Sequence, residues 1–448
     1  MAQATKIGNR ILDKIVDARP DEWRALGLGF VFNFVVLGSY YVVKPIRDDI
    51  GAANGVDKLS WMFTGTMVTM IFANALFSAI VARMSRRRFL PIAYRFLILN
   101  LALFYIAMRF LGDAAQFWVG VSFFVWVSVF NVFVVTLFWA FMTDVFNTDQ
   151  GKRLFGFISV GGTMGGILGG LITGSLVKKM GASNLFIVSA VMLEAAAWCV
   201  KLFPADFKRD AATASPEEAT AEKPIGGSIV SGIAHVFRSS YLLGICGFML
   251  LYAITTTFIY FQQADLTAHQ FPDRGARTAF FAHLDVWVNF LTVLVQIFLT
   301  GRLLKWFGVG ATLTFLPVLS VIGFLAMGIT PALGLLAVFQ VMRRAGNFAV
   351  TRPAREVLFI VLRREDKYKA KSFIDTFVYR FGDQVGAWSY ALLNWLGLGL
   401  TGISFVAAPL AAIWCGLSVW LGRKQRNLAD AQDQGRRSPG DLAAPETA

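Results

Sequence analysis

Residues 139–174 read WAFMTDVFNTDQGKRLFGFISVGGTMGGILGGLITG, an apolar segment, a short charged loop and a second apolar segment rich in glycine. A loop this short predicts that the two segments are antiparallel neighbours. In a helix, residues four apart share a face, and glycines on that face let another helix pack closely. We therefore expect a packing face here; the alternative is that the same face slides during a conformational cycle. The glycines fall at two interleaved four-residue spacings, Gly161, Gly165, Gly169 and Gly162, Gly166, Gly170, Gly174.

The composition of the whole chain is that of a membrane protein. Of its 448 residues, 56% are hydrophobic and only 16% are charged, whereas soluble domains carry about 25% charged residues. Apolar runs of about 20 residues recur, each long enough to cross a bilayer. Twelve spans are predicted, at 26–43, 60–82, 90–111, 117–142, 154–177, 184–203, 241–261, 280–300, 310–329, 331–350, 372–396 and 401–421.

The segments outside the spans organise the chain into two halves. Residues 1–25 are basic and predict an amphipathic helix on the membrane surface. Residues 204–240 form a linker between two six-span halves, 26–203 and 241–421, and the polar tail 422–448 is predicted to be disordered. Most of the 42 lysines and arginines lie in segments that an N-terminus-inside topology places in the cytoplasm. Both termini and the linker are therefore predicted to be cytoplasmic.

The two halves resemble one another. A basic turn follows span two and again span eight, and a Lys- and Arg-rich stretch precedes span five and again span eleven. Twelve transmembrane helices in two similar six-helix halves, an all-α polytopic membrane protein, resemble the major facilitator architecture. That architecture binds its substrate near the membrane midplane, between the halves, and works by alternating access.

Ionisable residues within or at the ends of spans are costly, so each is a functional candidate. Tyr40, Lys44 and Arg47 at the end of span one are spaced four and three apart. If the helix continues past residue 45, they share a face, and a Lys–Arg pair beneath a tyrosine suits an anionic solute. The alternative is that Lys44 and Arg47 merely neutralise Asp48 and Asp49 at the membrane edge.

The second half carries a second set of candidates, in spans ten and eleven. Asp375, Arg380 and Asp383 are candidates for gating or coupling, although Arg380 and Asp383 at i, i+3 are also spaced for a self-contained ion pair. Arg343 and Arg344 lie in span ten. An arginine facing the cavity would be an anion ligand, whereas both would be anchors if they extend to the surface. We take Arg344, with Arg380, as the anion ligand of this half.

Other chemistries find little support in the sequence. The three cysteines lie in apolar spans and the three histidines are scattered, so neither a disulfide framework, a metal site nor a cofactor is expected. Residues 150–153 lack the flanking residues of a phosphate-binding P-loop, and no hydrolase signature is present, so an enzyme is not expected. The net charge of +14 sits in loops between spans and does not indicate nucleic-acid binding. Glu194 in span six predicts a hydrogen bond to a neighbouring helix rather than proton coupling.

Longer motifs resemble the plastid and intracellular-bacterial ATP/ADP translocases, a nucleotide transporter family distantly related to the major facilitators. Residues 137–141 read LFWAF and 149–155 read DQGKRLF; residues 353–360 read PAREVLFI and 369–375 read KAKSFID. Ile46-Arg47-Asp48 and Gln270-Phe271-Pro272 also match. The resemblance implies that the loop and helix-end residues of the family are retained here, at Arg47, Asp48, Asp144, Lys152, Arg153, Arg355, Glu356, Lys371, Asp375 and Arg380.

Several charged residues of that family are replaced in this chain. They fall at Ile50, Val127, Tyr260, Ala264, Asn347 and Arg352. The resemblance thus implies the fold and alternating access, with Asp48, Asp144, Lys152, Arg153 and Lys371 in gating or coupling. The substrate is expected to be an organic or phosphorylated anion, nucleotide-like among the options.

Two other functions stay open on the sequence. The first is proton-coupled transport of an unrelated metabolite or drug, with Asp375, Asp383 or Glu194 carrying the proton. The second is a sensor or assembly subunit that kept the fold and lost transport. In each case we expect a monomer in the lipid bilayer. The absence of a plastid-type transit peptide and the compact loops favour the inner membrane of a bacterium.

Overall fold

A computed structural model describes residues 18–81, 86–203, 239–362, 370, 371 and 373–437. Most of the predicted N-terminal amphipathic segment and of the linker, and the last part of the tail, lie outside the described residues. Each of the twelve predicted spans overlaps a described helix, and two of them, 331–350 and 372–396, also include a π-helical turn. Nine helices of the described residues are long and apolar enough to cross a membrane. The described chain is therefore an α-helical, polytopic membrane protein, as predicted.

The first six helices are α1 (Trp23–Ala53), α2 (Gly55–Val81), α3 (Arg86–Phe110), α4 (Asp113–Val145), α5 (Thr148–Met180) and α6 (Leu185–Leu202). The next six are α7 (Ser240–Gln270), α8 (Arg274–Phe298), α9 (Thr300–Ile329), α10 (Leu333–Gly346), α11 (Tyr379–Trp395) and α12 (Leu400–Arg437). A π-helical turn, Asn347–Thr351, continues α10 into the short helix Arg352–Leu358, and another, Ile374–Val378, leads into α11.

The last helix is longer than the sequence predicted. It continues to Arg437, so the prediction of disorder from residue 422 is wrong for residues 422–437. The residues that follow the predicted span are mostly good helix formers such as Arg, Lys, Gln and Ala. Leu428 and Ala429 also pack against the hydrophobic core that α7, α9 and the short helix after α10 share with α12. Packing of an apolar face, rather than propensity alone, stabilises most helices in proteins.

The chain divides into two compact units. Unit 1 comprises Met1–Lys223 and Thr267–Phe290, and unit 2 comprises Pro224–Leu266 and Leu291–Ala448. The end of α7 and most of α8 therefore belong with the first six helices. The sequence had placed everything after residue 240 in the second half.

The glycine stripes of α5 are a packing face within unit 1. A Cβ atom on Gly161, Gly165 or Gly169 would lie 2.0–2.5 Å from a backbone oxygen of α1, at Phe30, Phe34 and Gly38 respectively. The second stripe lies between α1 and α8. A Cβ on Gly162 would lie 2.5 Å from Leu37 Cδ1 of α1, whereas one on Gly170 would lie 2.7 Å from Val286 Cγ2 of α8 and one on Gly174 2.8 Å from His283 Nε2 of α8. The predicted packing face is confirmed, and its sliding stays a prediction.

The loop before the glycine stripes is closed by a capping box. Asn147 accepts a hydrogen bond from the backbone N–H of Gln150, whose side chain accepts one in return from the backbone N–H of Asn147. Trp139 of α4 contacts Phe155 of α5, with ring centroids 5.3 Å apart. Beyond this contact, α5 packs mainly against α1 rather than against α4. The helices α4 and α5 are neighbours at the loop only, because the glycines of α5 allow it to pack closely against α1.

Candidate substrate site

The predicted polar face at the end of span one lies on a continuous helix. Pro45 lies inside α1, which runs on to Ala53, so Tyr40, Lys44 and Arg47 do share a face. The Lys44 ammonium donates to Asp48 Oδ2 at 2.7 Å and to both carboxylate oxygens of Asp285, at 2.9 and 2.8 Å. Both acids are buried, with exposed side-chain fractions of 3% and 0%. Lys44 thus joins two buried carboxylates from α1 and α8 of unit 1.

Arg47 lies beside this pair and binds one of the same acids. Its Nη1 donates to Asp48 Oδ1 at 2.9 Å and its Nε donates to Ser128 Oγ at 3.1 Å. The guanidinium lies over the ring of Phe124, 3.9 Å from its centroid, a favourable cation–π geometry. Tyr40 packs edge-to-face against Tyr41, with ring centroids 5.2 Å apart. The two hydrogen bonds and the ring contact hold the Arg47 guanidinium in one orientation.

Asp49 belongs to a separate cluster. It accepts from Arg277 Nε at 2.7 Å and from Arg274 Nε at 3.3 Å. Arg277 also donates to the backbone oxygens of Phe271 and Pro272, which ties the α7–α8 turn to α1 within unit 1. The interpretation that Lys44 and Arg47 neutralise neighbouring acids therefore holds for Asp48 and does not hold for Asp49.

Sequence reasoning missed Asp285, although it could have been found. The residue lies inside predicted span eight, where the rule that marked the other intramembrane charges applies equally. Its role as the partner of Lys44 could not be read, because the two residues are 241 positions apart. With Asp285 included, the site has two cations, Lys44 and Arg47, and two buried carboxylates. Burying such a network costs several kcal/mol per ion, which favours a functional reason for it.

A second ionic contact holds the loop before α5. Glu22 is buried just before α1 and accepts from Arg153 Nη2 at 2.8 Å and from Gln150 Nε2 at 3.1 Å. Burial by itself raises the pKa of this carboxyl. The hydrogen bonds from Arg153, from the backbone N–H of Arg19 and from Gln150 outweigh burial and hold the pKa below its usual value. The sequence had predicted Arg153 as a gating residue but had not found its partner.

Two other gating candidates lie near this contact in sequence. Asp144 is half-buried in the last turn of α4. The side chain of Lys152 lies outside the described part of the chain. Their gating role stays a prediction.

The charged residues around span eleven form three pairs within unit 2. Lys371 binds Glu356, and Arg355 Nη2 lies 3.5 Å from Asp375 Oδ1. These two pairs connect the short helix after α10 with the start of the next helix. The third pair, Arg380 Nη1 to Asp383 Oδ2 at 3.3 Å, is the predicted i, i+3 pair. Thr257 Oγ1 also donates to Asp383 at 3.5 Å.

Arg343, rather than Arg344, is the arginine that the structure buries. Arg343 is 1% exposed, and its guanidinium donates to Ser320 Oγ at 3.1 Å, Thr256 Oγ1 at 2.9 Å and Thr255 Oγ1 at 2.7 Å. Each of these hydroxyls donates its own proton to a backbone oxygen of its helix. Their oxygens are therefore left as acceptors for the arginine. Arg344 is half-buried. The pattern of apolar residues in span ten did not distinguish the two neighbours.

Glu194 of α6 forms an ion pair within unit 1. It accepts from Arg95 Nη2 at 2.7 Å, which confirms the predicted hydrogen bond to a neighbouring helix. Both residues are more than a third exposed, at 37% and 48% of their side chains. Among the described residues, no group of three or more His, Cys, Asp or Glu could hold a metal ion.

Comparison with known proteins places these features in a family. The family model described as Major Facilitator Superfamily matches residues 26–354. An ADP,ATP carrier protein 1 of Chlamydia trachomatis serovar D is 25% identical over 329 residues, which cover 65% of this chain and 61% of the relative. The protein of the same name from Chlamydia muridarum is 24% identical over 353 residues, 70% of this chain and 65% of the relative. The match therefore spans less than two thirds of the length of these relatives.

Solved structures share the fold at low sequence identity. The crystal structure of the nucleoside transporter NupG aligns with a TM-score of 0.56 at 14% identity, covering 92% of this chain and 99% of that one. A D-xylose-proton symporter aligns with a TM-score of 0.62 at 13% identity, covering 90% and 97%. The predicted resemblance to the ATP/ADP translocases and to the major facilitator fold is confirmed.

Proposed function

We propose a substrate class and a mechanism for this chain, which belongs to the Major Facilitator Superfamily and is a membrane transporter of that type. The substrate is an organic or phosphorylated anion, with a nucleotide as the first candidate. Lys44 and Arg47 are its ligands in unit 1. The Lys44 ammonium, held by two buried carboxylates in a membrane helix, is the observation that carries this proposal.

The chemistry of the cluster supports an anionic substrate that competes with Asp48 and Asp285 for the Lys44 ammonium. An ammonium has three donors and no acceptor, and here those donors point at carboxylate oxygens of Asp48 and Asp285. A phosphate or carboxylate of the substrate can replace either acid on Lys44 with bonds of the same kind. Arg47 adds a planar fork that matches such a group. The names of the relatives, ADP,ATP carriers, make nucleotides the first anions to test.

The charge balance of the cluster predicts how substrate binding would change its ion pairs. Lys44 and Arg47 neutralise Asp48 and Asp285 when no substrate is bound. An arriving anion leaves one carboxylate in excess, and that carboxylate must separate from the cations or take a proton. Alternating access would then follow from the movement of α1 against α8, which carry the two acids. By the charge bias of the loops, both termini would lie in the cytoplasm. The bacterial source of the relatives favours a bacterial inner membrane.

The test is uptake of labelled ATP and ADP by proteoliposomes of the purified protein, either preloaded with unlabelled nucleotide or empty. Uptake that requires internal nucleotide would establish exchange. Arg47→Ala should abolish uptake, because the ligand of the anion is lost. Arg24→Ala is its matched control, since Arg24 lies on the same helix and is exposed. Equal uptake by the Arg47→Ala variant and the wild type would remove this residue from the site.

A paired substitution separates an anion ligand from a structural ion pair. Lys44→Met leaves Asp285 without its cation, so this variant alone could lose stability. In the double variant Lys44→Met/Asp285→Asn both charges are gone and the cluster stays neutral. If Lys44 binds substrate, the double variant inserts normally and remains inactive. Recovery of uptake in the double variant would show that the pair is structural only.

Proton coupling is a second candidate, favoured by the complete burial of Asp285. If this acid takes up a proton in each cycle, a collapsed pH gradient stops net flux. Asp285→Asn then abolishes gradient-driven uptake and leaves exchange between preloaded nucleotide pools intact. A pure anion exchanger would be indifferent to the gradient.

A further inference from the structure

A cavity of about 860 Å³ opens between α9 and α12 in unit 2. Its volume falls in the range of about 300–1,000 Å³ that is usual for ligand pockets. Its lining includes large apolar side chains that are exposed, with exposed fractions of 60% for Phe307, 42% for Phe315 and 61% for Ile322. Both helices are apolar enough to cross a membrane over Lys305–Ile329 and Leu400–Ala431. The cavity therefore lies between two helices of membrane-spanning length and composition.

One end of the cavity is basic. Arg423 and Arg426 line it from α12 and are exposed; three residues apart on a helix, they lie on one face. The Arg426 guanidinium approaches the point where α9 kinks at Gly308, whose φ is +72°. Its Nη2 lies 3.7 Å from the position that a Cβ on Gly308 would take. The positive φ favours glycine at the kink, and the arginine lies at ordinary van der Waals distance from this point.

The two helices touch beside these arginines. A Cβ atom on Gly422 of α12 would lie 2.2 Å from Gly310 Cα of α9. Gly310 and Gly422 both line the cavity, so the two helices meet at its wall, next to Arg423 in sequence.

The chemistry of the lining selects for an amphipathic anion. No carboxylate lines the cavity, and neither Arg423 nor Arg426 forms an ion pair with any described residue. The hydroxyls of Thr312 and Thr314 already donate to the backbone oxygens of Gly308 at 2.7 Å and Gly310 at 2.8 Å. The apolar surfaces therefore present few donors to a polar solute, whereas the two guanidinium groups fit a phosphate.

We propose that this cavity binds an anionic phospholipid, with its phosphate at Arg423 and Arg426 and an acyl chain along α9 and α12. Charge complementarity at one end and apolar surface along the remainder together match the two parts of such a lipid. Basic pockets between membrane helices recognise lipid headgroups in this manner. Anionic lipid that the basic protein surface attracts in general would not depend on Arg423 and Arg426 in particular. This site is independent of the substrate proposal, because it uses none of the same residues.

The test compares phosphatidylglycerol with phosphatidylcholine of the same acyl chains. The full-length protein in mild detergent is titrated with each lipid, and thermal unfolding and native mass spectrometry report binding. We expect phosphatidylglycerol to raise the Tm and to remain bound, with phosphatidylcholine at least about tenfold weaker. In Arg423→Gln/Arg426→Gln this preference should fall by about tenfold or more, since each charge-assisted bond to phosphate is lost. Arg423→Lys/Arg426→Lys keeps the charge but not the planar guanidinium groups, so it should lose part of the preference for phosphatidylglycerol.

Two controls match these variants. Lys305→Gln/Lys424→Gln removes the same number of exposed charges near this end of the helices without touching the cavity lining, and it should keep the preference. Ala311→Trp fills the cavity and should abolish binding with both arginines present, whereas Ala412→Trp, at an exposed position outside the lining, should not. Equal affinity for the two lipids would overturn the proposal. So would stabilisation by glycerol 3-phosphate as strong as that by the lipid, because it would identify a soluble anion as the ligand.

Discussion

The close contact of α5 with α1 predicts a large difference between two chemically identical substitutions. In Gly165→Ala the new Cβ would lie 2.0 Å from the backbone oxygen of Phe34 and 2.9 Å from its Cα. In Gly156→Ala, on the same helix, the new Cβ meets nothing within 4 Å. Backbone atoms cannot turn aside as a flexible side chain can. Gly165→Ala therefore forces the two helices apart by about 1.4 Å, which brings this contact from 2.0 Å to 3.4 Å, the lower limit of ordinary van der Waals contact.

The expected magnitudes follow from two opposing effects. Replacing glycine by alanine within a helix gains about 1 kcal/mol, and Gly156→Ala receives this gain alone. Overpacking at a close contact costs about 1–3 kcal/mol, which offsets or exceeds the gain at Gly165. The free energies of unfolding of the two variants should therefore differ by about 1–3 kcal/mol, with Gly165→Ala the less stable.

The assay is the Tm of each purified variant in one detergent, followed by intrinsic tryptophan fluorescence. We expect Gly156→Ala at or above the wild type, and Gly165→Ala several degrees below Gly156→Ala. A Tm of Gly165→Ala equal to or above that of Gly156→Ala would refute the backbone contact. Uptake by the same variants addresses the sliding of this face. If the face slides during transport, Gly165→Ala should lower uptake by a larger factor than it lowers the amount of folded protein.

Three further predictions concern other contacts. Because the pKa of Glu22 is lowered in the folded protein, its bonds stabilise the fold above the unfolded value of about 4.3 and are lost as the pH falls through the folded pKa. The Tm gap between wild type and Glu22→Gln should therefore be largest near neutral pH and close in acid; a gap that does not change with pH would contradict the assignment. Arg343→Met should leave the Tm unchanged or raise it, since the three hydroxyls keep their backbone acceptors and a buried charge is removed; a large fall in Tm would show that the arginine stabilises the fold. Gly382→Val should lower the Tm, because even a Cβ there would lie 2.6 Å from the Ala253 Cβ. Its control is Gly416→Val, at an exposed glycine with no atom within 4 Å of the new Cβ, which should not lower the Tm.

Much of the local structure could be predicted from the sequence. Apolar runs of membrane-spanning length must be helical, since lipid offers no partner for backbone N–H and C=O groups. Contacts between residues three or four apart followed directly, as in the Arg380–Asp383 pair and the shared face of Lys44 and Arg47. The spacing of the glycines in α5 likewise showed that some helix would pack closely against it. The extent of several helices was misjudged: α12 continues to Arg437, where Leu428 and Ala429 pack against the core, and α1 continues to Ala53, past the predicted end at residue 43.

The partners of these groups were decided by the tertiary structure. The sequence did not indicate that one glycine stripe packs against α1 and that the other lies between α1 and α8, because a face without side chains can pack closely against any helix. Nor did it join Lys44 to Asp285, or Arg153 to Glu22, since contacts between distant residues depend on how the helices pack. Which of Arg343 and Arg344 is buried likewise depended on how the helices pack. Adjacent residues on a helix point about 100° apart, so only the position of the neighbouring helices determines which of the two is buried.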